Sequence, residues 1–144
     1  MPEPRNPRFQ QAVRDSFAAQ RLMATLGARL VGVAPGEIEI RVPFRSDLTQ
    51  QHGFLHAGVV TSALDSACGY AALTLMPDDA EVLTVELKVN LLAPADGDRL
   101  VAEGQVVRAG RTLTVCRGDA YAEQASERVH VATLLATMVR RRAG

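Results

Sequence analysis

Between residues 56 and 75, apolar and small side chains recur at helical intervals: Val59, Val60, Ala63, Ala67, Tyr70, Ala71 and Thr74. Such spacing describes a helix face and predicts a central helix over 56–75. Asp65 interrupts the pattern. Aspartate is a poor interior helix residue and its unpartnered burial is costly, so it either faces solvent beside Ser62 and Ser66 or has a purpose. Earlier in the chain, Phe9, Ala12, Val13, Phe17, Leu22, Met23 and Leu26 recur with charges between them. They predict one amphipathic opening helix within residues 1–26, starting near Pro7 and closed by Gly27.

Period-two patterns fill most of the remainder. Residues 29–33 and 37–42 read as a hairpin turned by Pro35 and Gly36, with Ile38, Ile40 and Val42 on one face. Residues 43–55 read as a loop that delivers the chain to the central helix. From 82 to 92, Val85, Leu87, Val89 and Leu91 alternate with Thr84, Glu86, Lys88 and Asn90, which predicts a half-buried strand. Strands are also expected at 99–108, 111–121 and 129–140, with turns at Ala109 and Gly110 and at 123–127. The sum is α+β: a single domain over 1–144, in which a strand meander over 82–140 contributes to an antiparallel sheet of about five or six strands.

Composition narrows the function classes. At 47% hydrophobic and 22% charged over 144 residues, the chain can build a proper core in one domain. Sixteen basic and sixteen acidic side chains cancel, so electrostatics make no case for a nucleic-acid or anionic-membrane partner. Arg140, Arg141 and Arg142 read as a solvated tail. The stretch 57–76 reaches membrane-spanning length, but Asp65 near its middle and its many small polar residues favour a buried core helix. The opening residues lack an apolar signal-peptide core, so the expected location is cytoplasmic. Cys68 and Cys116 form no CxxC motif and read as reduced, buried thiols. His52 and His56 precede or straddle the helix start with no third ligand nearby, so no metal site is expected. Ser62 and Ser66 lack the glycine context of a nucleophile elbow.

Gln50, His56-Ala57-Gly58, Asp65, Thr84-Val85-Glu86, Asn90, Pro94, Gly97 and Gly110-Arg111 together resemble the PaaI-like hotdog-fold acyl-CoA thioesterases, over about residues 22–140. The resemblance implies a sheet curled around one long central helix. It implies hydrolysis of aryl- or medium-chain acyl-CoA thioesters with no metal and no redox cofactor. It implies a homodimer as the minimal unit, paired again into a dimer of dimers. Asp65, Gln50, His56, Ala57 and Thr84 take catalytic positions by this resemblance, and Gly58, Val59, Asn90, Arg108, Gly110 and Arg111 take positions that bind substrate or CoA. Ala57 departs from the family's His-Gly-Gly turn. It keeps the backbone N–H, adds a methyl near the acyl group, and would strain the turn by about 1–2 kcal/mol if its φ were positive.

The same residues can be read by their chemistry alone. Thioester hydrolysis needs oxyanion donors and an activated water or a nucleophile. Free N–H groups around Ala57 and Gly58 would supply the first, reinforced by the helix dipole. Asp65 would supply the second, as general base or as nucleophile, and the sequence leaves both open. Gln50 would hold the water or the thioester oxygen, Thr84 would orient the carboxylate or the water, and His56 would steady the turn or approach the leaving sulfur. Arg108 and Arg111 flank a glycine turn and would be placed to meet CoA phosphates. A non-catalytic acyl-CoA or fatty-acyl binding protein is an alternative; a hotdog hydratase would need a different Asp and His arrangement on the helix. Nine residues separate 56 from 65, which puts them on opposite sides of a helix and roughly 13 Å apart along its axis. A two-fold dimer with antiparallel helices would bring each Asp65 beside the other chain's segment 50–58.

Overall fold

The computed structural model describes residues 2–143. In chain order the elements are α1 (Phe9–Ala19), α2 (Arg21–Leu26), β1 (Arg29–Ala34), β2 (Glu37–Pro43), α3 (Ala57–Leu73), β3 (Ala80–Leu91), β4 (Arg99–Ala109), β5 (Leu113–Gln124) and β6 (Glu127–Arg142). The six strands form one antiparallel sheet in the order β1-β2-β4-β5-β6-β3 and lay one face against α3, the hotdog arrangement. Because α3 is apolar on nearly every side, ten of its residues are buried. They meet Ile40, Leu100, Leu134 and Met138 from the sheet, all fully buried. Side chains of this size contribute about 1.5–3 kcal/mol each on burial.

Two glycines let the helix sit this close. A Cβ on Gly104 would lie 2.5 Å from Ala67 O and 2.7 Å from Cys68 N, and one on Gly118 would lie 3.0 Å from Cys68 Sγ. A side chain at 104 would strike the α3 backbone and push the helix off the sheet, and one at 118 would press on the Cys68 and Leu64 side chains.

Three expectations are corrected. The opening helix is two helices, because Gln20 adopts an extended conformation, φ −81° and ψ 102°. Its side chain is tied to α3 instead, Nε2 donating to the Tyr70 hydroxyl at 2.8 Å and Oε1 accepting from Ser66 Oγ at 2.9 Å. The apolar spacing runs on across the break because Val13, Met23 and Leu26 join the same core.

Residues 82–140 are not a plain meander, since β3 pairs with β6 and not with β4. The connection from β3 to β4 crosses at the start of α3, where Leu92 N–H donates to Val131 O at 2.7 Å and Leu55 N–H to Ala95 O at 2.9 Å.

The alternation along β3 is also interrupted, by a bulge between Thr84 and Glu86. Thr84 pairs with buried Met138, whereas Leu87, Val89 and Leu91 pair with buried Ala136, Leu134 and Ala132. One extra residue therefore puts Thr84 on the same face as the odd-numbered apolar residues beyond it.

Candidate active site

The approach to α3 is a short, tightly bonded loop. Gln50 N–H donates to Phe54 O at 2.8 Å, Gly53 N–H returns to Gln50 O at 3.1 Å, and His56 N–H donates to Leu48 O at 3.0 Å. This delivers His56 as the N-cap, with extended backbone, and its Nδ1 accepts from Gly58 N–H at 2.8 Å. An accepting Nδ1 places the ring proton of neutral His56 on Nε2. Gly58 makes room for the cap, because a Cβ there would stand 3.0 Å from Nδ1. The Gly58 donor is thus already used, which corrects its expected availability to a substrate. Among the described residues the Ala57 N–H has no partner, as the first helical position allows.

Ala57 is not strained. Ala125 is the non-glycine residue with positive φ among those described, so the conditional strain penalty at Ala57 does not arise. Ala57, Gln50, His56, Phe54, Val60 and Leu91 help to line a cleft of about 570 Å³. The Gln50 side-chain carbonyl accepts from His52 N–H, which fixes the amide within its own loop.

Asp65 lines a different cleft, of about 490 Å³, between α1, α3 and β3. Thr84 Oγ1 donates to Asp65 Oδ1 at 2.6 Å and lies 3.3 Å from Met138 Sδ. The bulge makes this bond possible by turning Thr84 toward the helix. Asp65 is half-buried and partnered, so it is neither a plain solvent-facing carboxylate nor a stranded one. Beside it, Ser66 and Tyr70 are bound to Gln20, Ser16 Oγ donates to the Tyr70 hydroxyl at 3.2 Å, and Phe17 meets Tyr70 edge-on at 6.0 Å. Sequence reasoning did not include Gln20 in the site. Its signal was a polar residue at the stripe position that follows Val13 and Phe17 at helical spacing.

No residue lines both clefts. The helix therefore carries the two halves of the expected constellation on different sides, and one protomer does not bring them together. Other expected contacts lie elsewhere. Val59 and Val60 both belong to the buried core, and Val60, not Val59, also lines the cleft beside Ala57. Asn90 pairs with Thr133 between buried Ala132 and Leu134, which puts it on the sheet's outer face, where it accepts from Lys88 Nζ at 2.8 Å. The bulge separates it from Thr84, with which a regular strand would have aligned it. Arg108, Gly110 and Arg111 sit exposed where β4 turns into β5, and they line neither cleft. Among the described residues, no group of three or more His, Cys, Asp or Glu side chains is gathered to hold a metal ion, and no helix is long and apolar enough to cross a membrane.

Comparison with known proteins agrees with this architecture. Residues 52–128 match the family model of the thioesterase superfamily. A thioesterase family protein from Silicibacter pomeroyi shares 53% identity and superposes with a TM-score of 0.92, covering 94% of this chain and 99% of that one. The Escherichia coli PaaI protein from the phenylacetic acid degradation operon shares the fold at 18% identity, with a TM-score of 0.86 over 96% of this chain and 97% of its own. The medium/long-chain acyl-CoA thioesterase YigI of Escherichia coli K12 is 31% identical over 58% of this chain and 60% of its own length. With more than half the chain inside the family match and a shared fold beyond it, this chain belongs to the thioesterase superfamily and has its hotdog fold.

Proposed function

We propose that this chain hydrolyses acyl-CoA thioesters at sites shared between two copies of itself. The observation that carries the reading is the 2.6 Å bond by which Thr84 fixes the Asp65 carboxylate inside a cleft. Asp65 either removes a proton from an attacking water or attacks the thioester carbon itself. Thr84 orients it. The oxyanion formed on the carbonyl oxygen is met by the Ala57 N–H at the positive end of α3. Gln50 holds the thioester oxygen or the water, and His56 fixes the turn as its cap. Collapse of the tetrahedral centre then expels the CoA thiolate, which takes up the proton that Asp65 removed from the water; on the nucleophilic route a water instead hydrolyses the acyl-Asp65 anhydride left behind and returns the free carboxylate.

A shared site follows from the placement of these groups on opposite sides of one helix. Support comes from β3, a twelve-residue edge strand. Leu83, Val85, Leu87 and Leu91 on it are exposed large apolar residues in the protomer. Edge-to-edge pairing of two β3 strands would cover them, continue the sheet, and set antiparallel α3 helices side by side. The homodimer is the minimal unit of this reading, and a dimer of dimers is its fuller assembly. Arg108 and Arg111 would meet CoA phosphates from this assembly, with Gly110 shaping their turn.

YigI acts on medium- and long-chain acyl-CoA by its name, and a medium-chain or aryl acyl group is the substrate class assigned to this chain. A thiol-release assay over aryl, short, medium and long acyl-CoAs tests the reading. Turnover of at least one class is expected; saturable binding of every ester without thiol release would return the chain to the binding-protein alternative.

A further inference from the structure

Gly69 stands one helical turn beyond Asp65 on the same face of α3 and lines the same cleft. Glycine is unfavourable inside a helix, and its usual justifications are missing here. Its φ is not positive, and a Cβ at 69 would meet nothing within 4 Å. This is the reverse of Gly104 and Gly118, where an added Cβ would run into α3. What the glycine leaves is open volume directly beside the carboxylate. Ala19 and Val82 give that volume apolar walls, and Gln20, locked to Tyr70 and Ser66, lines it from the helix break.

Resting on the acyl-CoA reading above, we propose that Gly69 is a specificity-determining residue that admits acyl groups of medium length. With the thioester carbonyl at Asp65, the methylenes that follow pass over Gly69 and end against the Gln20–Tyr70 pair. A cleft of about 490 Å³ suits an occupant of this kind. A short acyl group ends before position 69 and is insensitive to it, whereas a medium-length chain must occupy the space that a side chain there would take.

The test compares kcat/KM for butyryl-CoA and decanoyl-CoA in wild type, Gly69→Ala and Gly69→Leu. In Gly69→Leu the decanoyl-CoA value should fall at least about tenfold while the butyryl-CoA value stays within about threefold. Gly69→Ala, a smaller change, should lower the decanoyl-to-butyryl ratio in the same direction. Both replacements are better helix formers than glycine, so the thermal midpoint should not fall. Should Gly69→Leu not fold, the ratio in Gly69→Ala decides. An equal loss on both substrates would mean that the space belongs to packing against another copy, and it would overturn the proposal, as would no change in either variant. A wild type that turns over both esters while neither variant shifts the ratio would overturn this proposal alone. A wild type inert on every acyl-CoA would remove the thioesterase reading and this one with it.

Discussion

The two clefts flanking α3 are built from opposite materials. At the helix start the proposed chemistry rests on the backbone: an unpartnered N–H at Ala57, held by a histidine cap and a tight loop. Half-way along the helix it is in side chains: a carboxylate, a hydroxyl brought to it by a bulge, and a glutamine tied in from a broken helix. Backbone donors tolerate side-chain exchange, whereas a carboxylate does not. In the proposed mechanism, side-chain exchange at the first cleft should therefore be tolerated better than exchange of the carboxylate at the second.

That contrast is broken most directly at Asp65. Asp65→Asn keeps the shape and the Thr84 contact but removes the proposed base or nucleophile, so kcat should fall by about 10²-fold or more with far-UV circular dichroism unchanged. Full activity would exclude Asp65 from the chemistry. The next measurement asks whether the clefts work in pairs. Gln50→Ala and Asp65→Ala, each impaired alone, should regain about a quarter of wild-type activity when unfolded together and refolded in equal amounts, since half of the proposed dimers would be mixed and each would carry one intact site. Mixed dimers seen by native mass spectrometry without recovered activity would confine the site to one chain.

A smaller effect separates orientation from chemistry. Thr84→Val retains the shape but removes the donor to Asp65, and about a tenfold loss in kcat is expected from a hydrogen bond to a charged group. A loss confined to KM would give Thr84 a binding role instead. The mildest change is Ala57→Gly, which keeps the N–H and removes a methyl. It should broaden acyl preference or raise the rate, with a stability loss no greater than about 1 kcal/mol by thermal denaturation. An unchanged profile across an acyl-CoA panel would leave the methyl without influence on the pocket.

The central helix was legible because its periodicity is long, and the strands because their alternation is local. The hotdog assignment stands on spaced residues that the fold keeps in sequence order. What escaped the sequence has common physical roots. The bulge at Val85 is one extra residue with no compositional mark, yet it reversed the facing of Thr84 relative to Asn90. The break at Gln20 depends on partners 46 and 50 residues away, so no local window contains its cause. The same is true of β3, which neighbours β4 along the chain but β6 in space. At Gly58 the spacing suggested a free donor, and only the ring of His56 revealed that it was taken.

The two cysteines bear on how turnover can be watched. Cys68 and Cys116 are both free and fully buried against the helix–sheet seam. Burial pushes the Cys116 thiol up to about 12. Burial does the same to Cys68, with the nearby Cys116 and Asp65 adding to the effect. Thiolates, not thiols, attack disulfide reagents. A chromogenic disulfide added to the folded protein should therefore stay colourless until CoA is released, so the reaction carries almost no background from its own catalyst. When the protein denatures, both thiols become available and add a fixed, stoichiometric increment of colour. One cuvette then reports product formation and loss of the native state as separable signals.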